Sequence, residues 1–190
     1  AKAQDATGAS FGVKAGLNIA NIKATGDDDE NNGDARIAYH GGVFANIPFG
    51  MLSFQPELVY SAEGTKDEFD GDNYKLKLNY LNIPLMLQYN TAGGFYAETG
   101  PQIGFLLSAK TEVETSGDEV EEDVKDQFKS TNFSWGLGVG FKMSSGMGIG
   151  ARYNFGLSDI ADVNDVDDDF KLKSNVIQIG ISFPIGGGAR

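Results

Sequence analysis

His40 is the only histidine in the chain. A Ser–His–Asp relay would have to be built on it. Ser61 and Ser158 are the hydroxyls that could be recruited beside it for lipid chemistry at a membrane surface, and no surrounding motif marks either. One histidine cannot make a multi-histidine metal site. Cysteine is absent, which removes thiol nucleophiles, cysteine-ligated metals and disulfides. His40 is therefore read as a packed, hydrogen-bonded side chain. No catalytic residue and no cofactor is assigned.

Carboxylates offer a second chemistry. The acidic run at 27–34 places Asp28, Glu30, Asn32 and Gly33 at spacings loosely like a calcium loop. The position of the closing bidentate glutamate is Tyr39, which cannot serve. Asp28, Glu30 and Asn32 are weak calcium candidates, and otherwise no metal site is assigned. A second acidic stretch at 159–169 has carboxylates without a turn glycine. Both read first as solvated loops. Bridging through calcium or magnesium to anionic lipopolysaccharide is a further reading of them.

The third group mixes signs. Lys14, Gln55, Glu57, Glu98, Gln102, Lys142 and Arg152, with Glu63 and Gln88, all fall on one parity of alternating segments and are interleaved with glycine. They could line a narrow pore or a proton path. They could equally lock a small barrel shut as a charged, hydrogen-bonded plug. With about eight strands the plug is favoured, because such a lumen is only wide enough for side chains.

The elements that must carry these residues are strands. Phe11, Val13, Ala15, Leu17 and Ile19 alternate with Gly12, Lys14, Gly16 and Asn18. The same period of two recurs near 37–47, 52–61, 81–89, 95–105, 133–142, 147–157 and 177–183, which gives about eight strands. The connections alternate too. Those at 21–34, 66–75, 108–130 and 159–171 are long and acidic, whereas those near 48–50, 90–94 and 144–146 are tight. An up-and-down membrane barrel has this asymmetry of short periplasmic turns and long external loops. Within the third long connection, Val120, Val124 and Phe128 at spacings of four suggest a short amphipathic helix over 117–128 that would fold over the barrel mouth or touch a partner, with a disordered loop as the alternative.

Alternation alone does not say which face is enclosed. The apolar face is bulky and aromatic, with Tyr60, Tyr89, Phe95, Phe133, Phe141 and Phe183 near strand ends, where interfacial girdles belong. The opposite face is rich in glycine, which suits an interior better than a solvated surface. The alternative is a soluble, lipocalin-like barrel holding a small apolar ligand, with its aromatics inside. No run of ~18 apolar residues suggests a membrane helix, but barrel strands carry no such run. The net charge of −12 repels phosphate backbones, so no nucleic-acid partner is expected.

Two segments carry a resemblance. Phe54-Gln55-Pro56-Glu57-Leu58-Val59-Tyr60-Ser61-Ala62-Glu63-Gly64 and Tyr80-Leu81-Asn82-Ile83-Pro84-Leu85-Met86-Leu87-Gln88-Tyr89 resemble hallmarks of the PorT family of Bacteroidetes outer-membrane barrels. The opening Phe11-Gly12-Val13-Lys14-Ala15-Gly16-Leu17-Asn18 and the run Tyr96-Ala97-Glu98-Thr99-Gly100-Pro101 fit the same pattern. The general shape is similar to OmpX- and OmpA-type barrels. The resemblance implies a small outer-membrane barrel of a Gram-negative bacterium with its signal peptide removed. The start Ala1-Lys2-Ala3-Gln4 would suit such processing. Its motifs are structural, so they speak for fold and little for role.

The expectation is thus an all-β, up-and-down antiparallel transmembrane barrel of about eight strands, a single domain over 1–190. A periplasmic tail is expected at 1–9 and a C-terminal tail at 184–190. The expected role is non-enzymatic: a structural or interaction protein, or an accessory subunit of an envelope complex. Outer-membrane lipid, lipopolysaccharide and other envelope proteins are its expected partners. A lipid-modifying enzyme is the remaining alternative.

Overall fold

The computed structural model describes residues 8–25, 31–32, 34–69, 72–115, 118–161 and 171–187. Its elements are, in chain order, β1 (Ser10–Thr25), β2 (Asn31–Asn32), β3 (Asp34–Phe49), β4 (Leu52–Phe69), β5 (Asp72–Asn90), β6 (Phe95–Thr115), β7 (Asp118–Asp123), a 3-10 turn (Lys125–Gln127), β8 (Thr131–Lys142), β9 (Gly148–Gly156) and β10 (Lys171–Gly187). Successive long strands pair antiparallel in the order β1, β3, β4, β5, β6, β8, β9, β10, and β10 pairs back onto β1. Residues Ser10 to Thr25 run against Gly187 to Lys171 along that closing seam. The ring has no free edge inside the wall, which a sheet in hydrocarbon requires, because no water is there to satisfy open backbone groups. The all-β, up-and-down architecture expected from the alternation is the one observed.

Period-two patterning sets the two faces. On β8, Phe133, Trp135, Leu137 and Val139 are exposed, while Ser134 and Gly136 between them are buried. On β10, Ile177, Ile179, Ile181 and Phe183 face out, and Gln178 is buried. Leu137 is 52% and Val139 62% exposed, whereas Glu57 and Arg152 are each 4% exposed. The aromatic, aliphatic face is therefore the outer one. A soluble carrier would place these side chains inside, so that alternative does not fit.

Outward-facing rings gather toward both ends of the wall. Phe95 and Phe141 meet edge to face at 4.9 Å near the tight-turn end. Tyr39 stacks on Tyr60 at 6.1 Å and Tyr153 on Phe155 at 6.2 Å nearer the long-loop end. Such girdles mark the two interfaces of a membrane barrel.

Strand lengths are unequal. β9 has 9 residues and β6 has 21. At ~3.3 Å per residue, β6 is about 70 Å long, far more than the ~25 Å apolar band needs even when tilted. The excess of β4, β5 and β6, joined by β7, continues beyond the wall as a sheet at the long-loop end.

Three expectations need correction. The connections expected at 66–75 and 108–130 are largely strand, because cross-strand pairing continues past the membrane. The helix expected over 117–128 is instead β7 followed by a single 3-10 turn. The acids at 119, 121 and 122 would crowd one another on a helix, whereas beside β6 the Glu121 carboxylate lies 2.5 Å from the Lys110 ammonium. Finally, the tail expected at 184–190 is strand through Gly187, where Gly186 pairs with Phe11.

Candidate functional site

The interior is built in layers, beginning at the tight-turn side. Arg152 enters from β9 and spans the lumen. Its Nη1 and Nη2 donate to the two oxygens of Glu57 on β4 at 2.9 and 2.8 Å, and its Nε donates to Glu98 on β6 at 2.7 Å. Lys14 on β1 donates to Glu57 at 2.9 Å, and Gln55 donates to it at 2.8 Å. Gln88 donates to the other oxygen of Glu98 at 2.9 Å. The Lys142 ammonium donates to Gln88 and Asn90 at 2.9 and 2.7 Å and lies 5.1 Å from the Tyr96 ring centre. The forked guanidinium suits this task, since it can satisfy one carboxylate bidentately and still reach a second.

Of the polar residues singled out in the sequence, Lys14, Gln55, Glu57, Glu98, Lys142 and Arg152 thus come together in one network. Gln102 is also enclosed, two repeats of the alternation beyond Glu98, but it takes no part in these bonds.

A layer of amides, hydroxyls, the imidazole and one carboxylate follows toward the loops. His40 Nδ1 lies 2.8 Å from Asn18 Oδ1. Asn18 Nδ2 in turn donates to Ser61 Oγ at 2.9 Å and to the Ala62 carbonyl at 2.7 Å. Glu63 accepts from Ser61 at 3.1 Å, Ser174 at 2.8 Å and Asn82 at 3.3 Å. Ser61 therefore points its hydroxyl at a carboxylate, and Asn18 stands between it and the imidazole. Ser158 lies far away at the rim, where it donates to Asn132 at 3.1 Å and accepts from the Phe133 N–H at 2.8 Å. The structure does not assemble the hydrolytic arrangement considered for His40.

The loop end is apolar inside. Ile22, Leu78, Tyr80, Leu106, Ala109, Val124 and Ile160 form one buried cluster, with Leu76, Phe128 and Leu172 packed on it. Val124 and Ile160 come from connections rather than barrel strands. They are stitched down by backbone bonds, from Val124 N–H to the Ala109 carbonyl at 3.0 Å, from Lys129 N–H to Ile160 at 2.9 Å and from Ile160 N–H to Leu172 at 2.9 Å. Asp159 secures the same lid by accepting from the N–H groups of Ala161 at 3.1 Å and Leu172 at 3.0 Å. Outside it, Lys75 and Lys77 on β5 both reach Glu112 on β6.

Sequence reasoning singled out Val124 and Phe128 of the lid, as part of a helix, but not its other members, nor Asn18, Asn82 and Ser174. Asn18 carried a signal, since it shares the inward parity of Lys14. The lid carried little, because its members are scattered over five segments. Asp28 and Glu30 lie outside the described residues, as does the Asn32 side chain. Among the described residues, no group of three or more His, Asp or Glu is placed to hold a metal ion.

A closed antiparallel ring with its greasy face out, its charges enclosed and rings gathered near both rims defines a transmembrane β-barrel of the outer-membrane kind. The family described as outer membrane protein beta-barrel domain matches residues 2–162, and the chain belongs to that family. Its location is the bacterial outer membrane.

Solved barrels are similar in fold. Neisserial surface protein A (NspA) is 14% identical with a TM-score of 0.50, covering 92% of this chain and 97% of its own. Ail, the attachment invasion locus protein of Yersinia pestis, is 14% identical with a TM-score of 0.47, covering 92% and 98%. The outer membrane protein AlkL, solved in DMPC bilayers, is 11% identical with a TM-score of 0.42, covering 97% and 94%. No curated protein matches the chain.

Proposed function

We propose that this protein is a non-conducting, non-enzymatic barrel that acts through the sheet it raises outside the membrane, as a structural or interaction protein of the cell envelope. One observation carries the reading. The lumen is crossed twice, by the Arg152–Glu57–Glu98 network and by the apolar lid over Ile160, while β4 to β7 extend past the wall. A pore-former would keep a wetted path, and a lipid enzyme would present its nucleophile and base at the outer rim. Here both axial routes are filled and the imidazole is buried in the middle.

Lipopolysaccharide and neighbouring envelope proteins are the partners this reading expects at the outer face. Calcium or magnesium bridging from the acidic segments belongs to the same reading. The motifs at 54–64 and 80–89 support a place among the PorT-type barrels of Bacteroidetes.

Planar-bilayer recording of the refolded protein tests the closed lumen, and no discrete conductance steps are expected. Reproducible single-channel steps would overturn it. Purification from native membranes in mild detergent tests the interaction role. A specific co-purifying component is expected, and a consistently solitary protein would count against it.

A further inference from the structure

We propose that the tight-turn end of the barrel holds a binding site for a small oxyanion, a carboxylate or phosphate reaching it from the periplasm, centred on the Lys142 ammonium. A cavity of about 240 Å3 opens inside the wall there, lined among others by Lys14, Asn46, Tyr96, Lys142, Arg152 and Ser182. It runs from Ser10, Gly146 and Pro184 at the tight-turn end inward past Glu98 to His40 and Gln178.

The charges around it do not cancel. Lys14, Lys142 and Arg152 bring three cations to the network, and Glu57 and Glu98 bring two carboxylates. Both carboxylates accept at each oxygen. Each oxygen of Glu57 takes an Arg152 N–H and a second donor, Lys14 or Gln55, and the two oxygens of Glu98 take Arg152 and Gln88. Lys142 is the cation left over. Its hydrogen-bond acceptors are two amide oxygens, on Gln88 and Asn90, it faces the Tyr96 ring, and the Glu98 carboxylate acts on it through space without a direct bond.

Neutral dipoles and a ring quadrupole hold an ammonium in place without neutralising it. An anion entering the cavity would meet one uncompensated positive charge behind low-dielectric walls, where Coulomb attraction is stronger than in open water. Ser182 at the rim adds a hydroxyl donor. The cavity volume suits a group of a few heavy atoms.

The test uses the full chain refolded in detergent micelles. Inorganic phosphate and acetate are titrated separately while chloride keeps the ionic strength constant, with binding read by calorimetry and amide NMR shifts. Saturable binding of phosphate, acetate or both is expected, and which one saturates tells phosphate from carboxylate. Lys142→Met is expected to weaken it about tenfold or more. Lys110→Met, on the external sheet, is expected to leave it unchanged. No saturable binding beyond chloride, or equal binding by Lys142→Met, would overturn the site. If Lys142→Met fails to fold, the native protein still decides. The bound oxyanion should slow modification of Lys142 by a small amine-reactive reagent relative to Lys110, and unchanged relative rates would overturn the proposal.

Discussion

Arg152 and Glu57, 95 positions apart in the chain, face each other across the lumen through two parallel hydrogen bonds of 2.9 and 2.8 Å. Removing one member of such a buried pair strands the other. Arg152→Met should therefore cost about 3–5 kcal/mol of stability, because Glu57 and Glu98 both lose their main donor. Replacing Lys14 and Arg152 with Met and Glu57 and Glu98 with Gln together should recover much of that loss, because no member of the paired set is left stranded. Urea unfolding in lipid vesicles, followed by the mobility shift of the folded barrel on gels, reads both outcomes. A benign Arg152→Met would mean the network is not enclosed.

The outer wall makes its own demand. Leu137 is exposed on β8 within the wall, while Val120 is exposed on β7 beyond it. Leu137→Arg should destabilise by about 2–4 kcal/mol, the penalty for a charge at mid-bilayer. Val120→Arg should change stability by less than about 0.5 kcal/mol, as surface substitutions do. Equal effects at the two sites would place both in the same solvent.

Gly150 shows how small residues on one wall admit large ones. A Cβ built there would lie 2.5 Å from the Tyr96 hydroxyl and 3.2 Å from the Val139 carbonyl. Gly150→Ala should cost about 1–3 kcal/mol as overpacking, and Tyr96→Phe should relieve a good part of it. A double-mutant cycle with a coupling of roughly 0.5 kcal/mol or more would verify the contact. Strict additivity would refute it.

The lid should respond to acid. Partial burial alone would raise the Asp159 carboxyl, but the N–H groups of Leu172 and Ala161, with the Lys129 ammonium, outweigh that and hold it below the ordinary aspartate value. A depressed folded-state value means that its contribution is present above the unfolded value and is lost as pH falls through the folded one. Hydrogen exchange at the Ala161 and Leu172 amides should stay protected near neutral pH, then open as pH drops below about 4. Asp159→Asn should remove that dependence and raise exchange at neutral pH.

Much of this was legible in the sequence because a strand shows its two faces as two parities. Glu57, Glu98, Lys14, Lys142 and Arg152 each lie on the inward parity of their own strand and meet in space; Leu137, Val139 and Ile179 lie on the outward parity of theirs. Of the lid only Val124 and Phe128 were legible, because the inward parity itself turns apolar toward the loops, from Lys14 and Asn18 to Ala20 and Ile22 along β1. That switch looks like a loss of pattern until Val124 and Ile160 are seen folding back over it. The external sheet was hidden for a related reason: acidic composition reads as loop, while the lysines that offset it, Lys75, Lys77 and Lys110, lie on neighbouring strands.

The most direct measurement takes advantage of a chain without cysteine. Single cysteines at Leu85, Met86, Leu87 and Gln88 on β5 can be spin-labelled in reconstituted vesicles, and collision with oxygen compared with collision with a water-soluble nickel complex. Leu85 and Leu87 are exposed and Met86 and Gln88 buried, so labels at 85 and 87 should collide freely with oxygen and scarcely with nickel, while those at 86 and 88 should be shielded from oxygen. Nickel access at 85 and 87 equal to that of a label at Val120 would contradict a wall whose outer side chains rest in lipid.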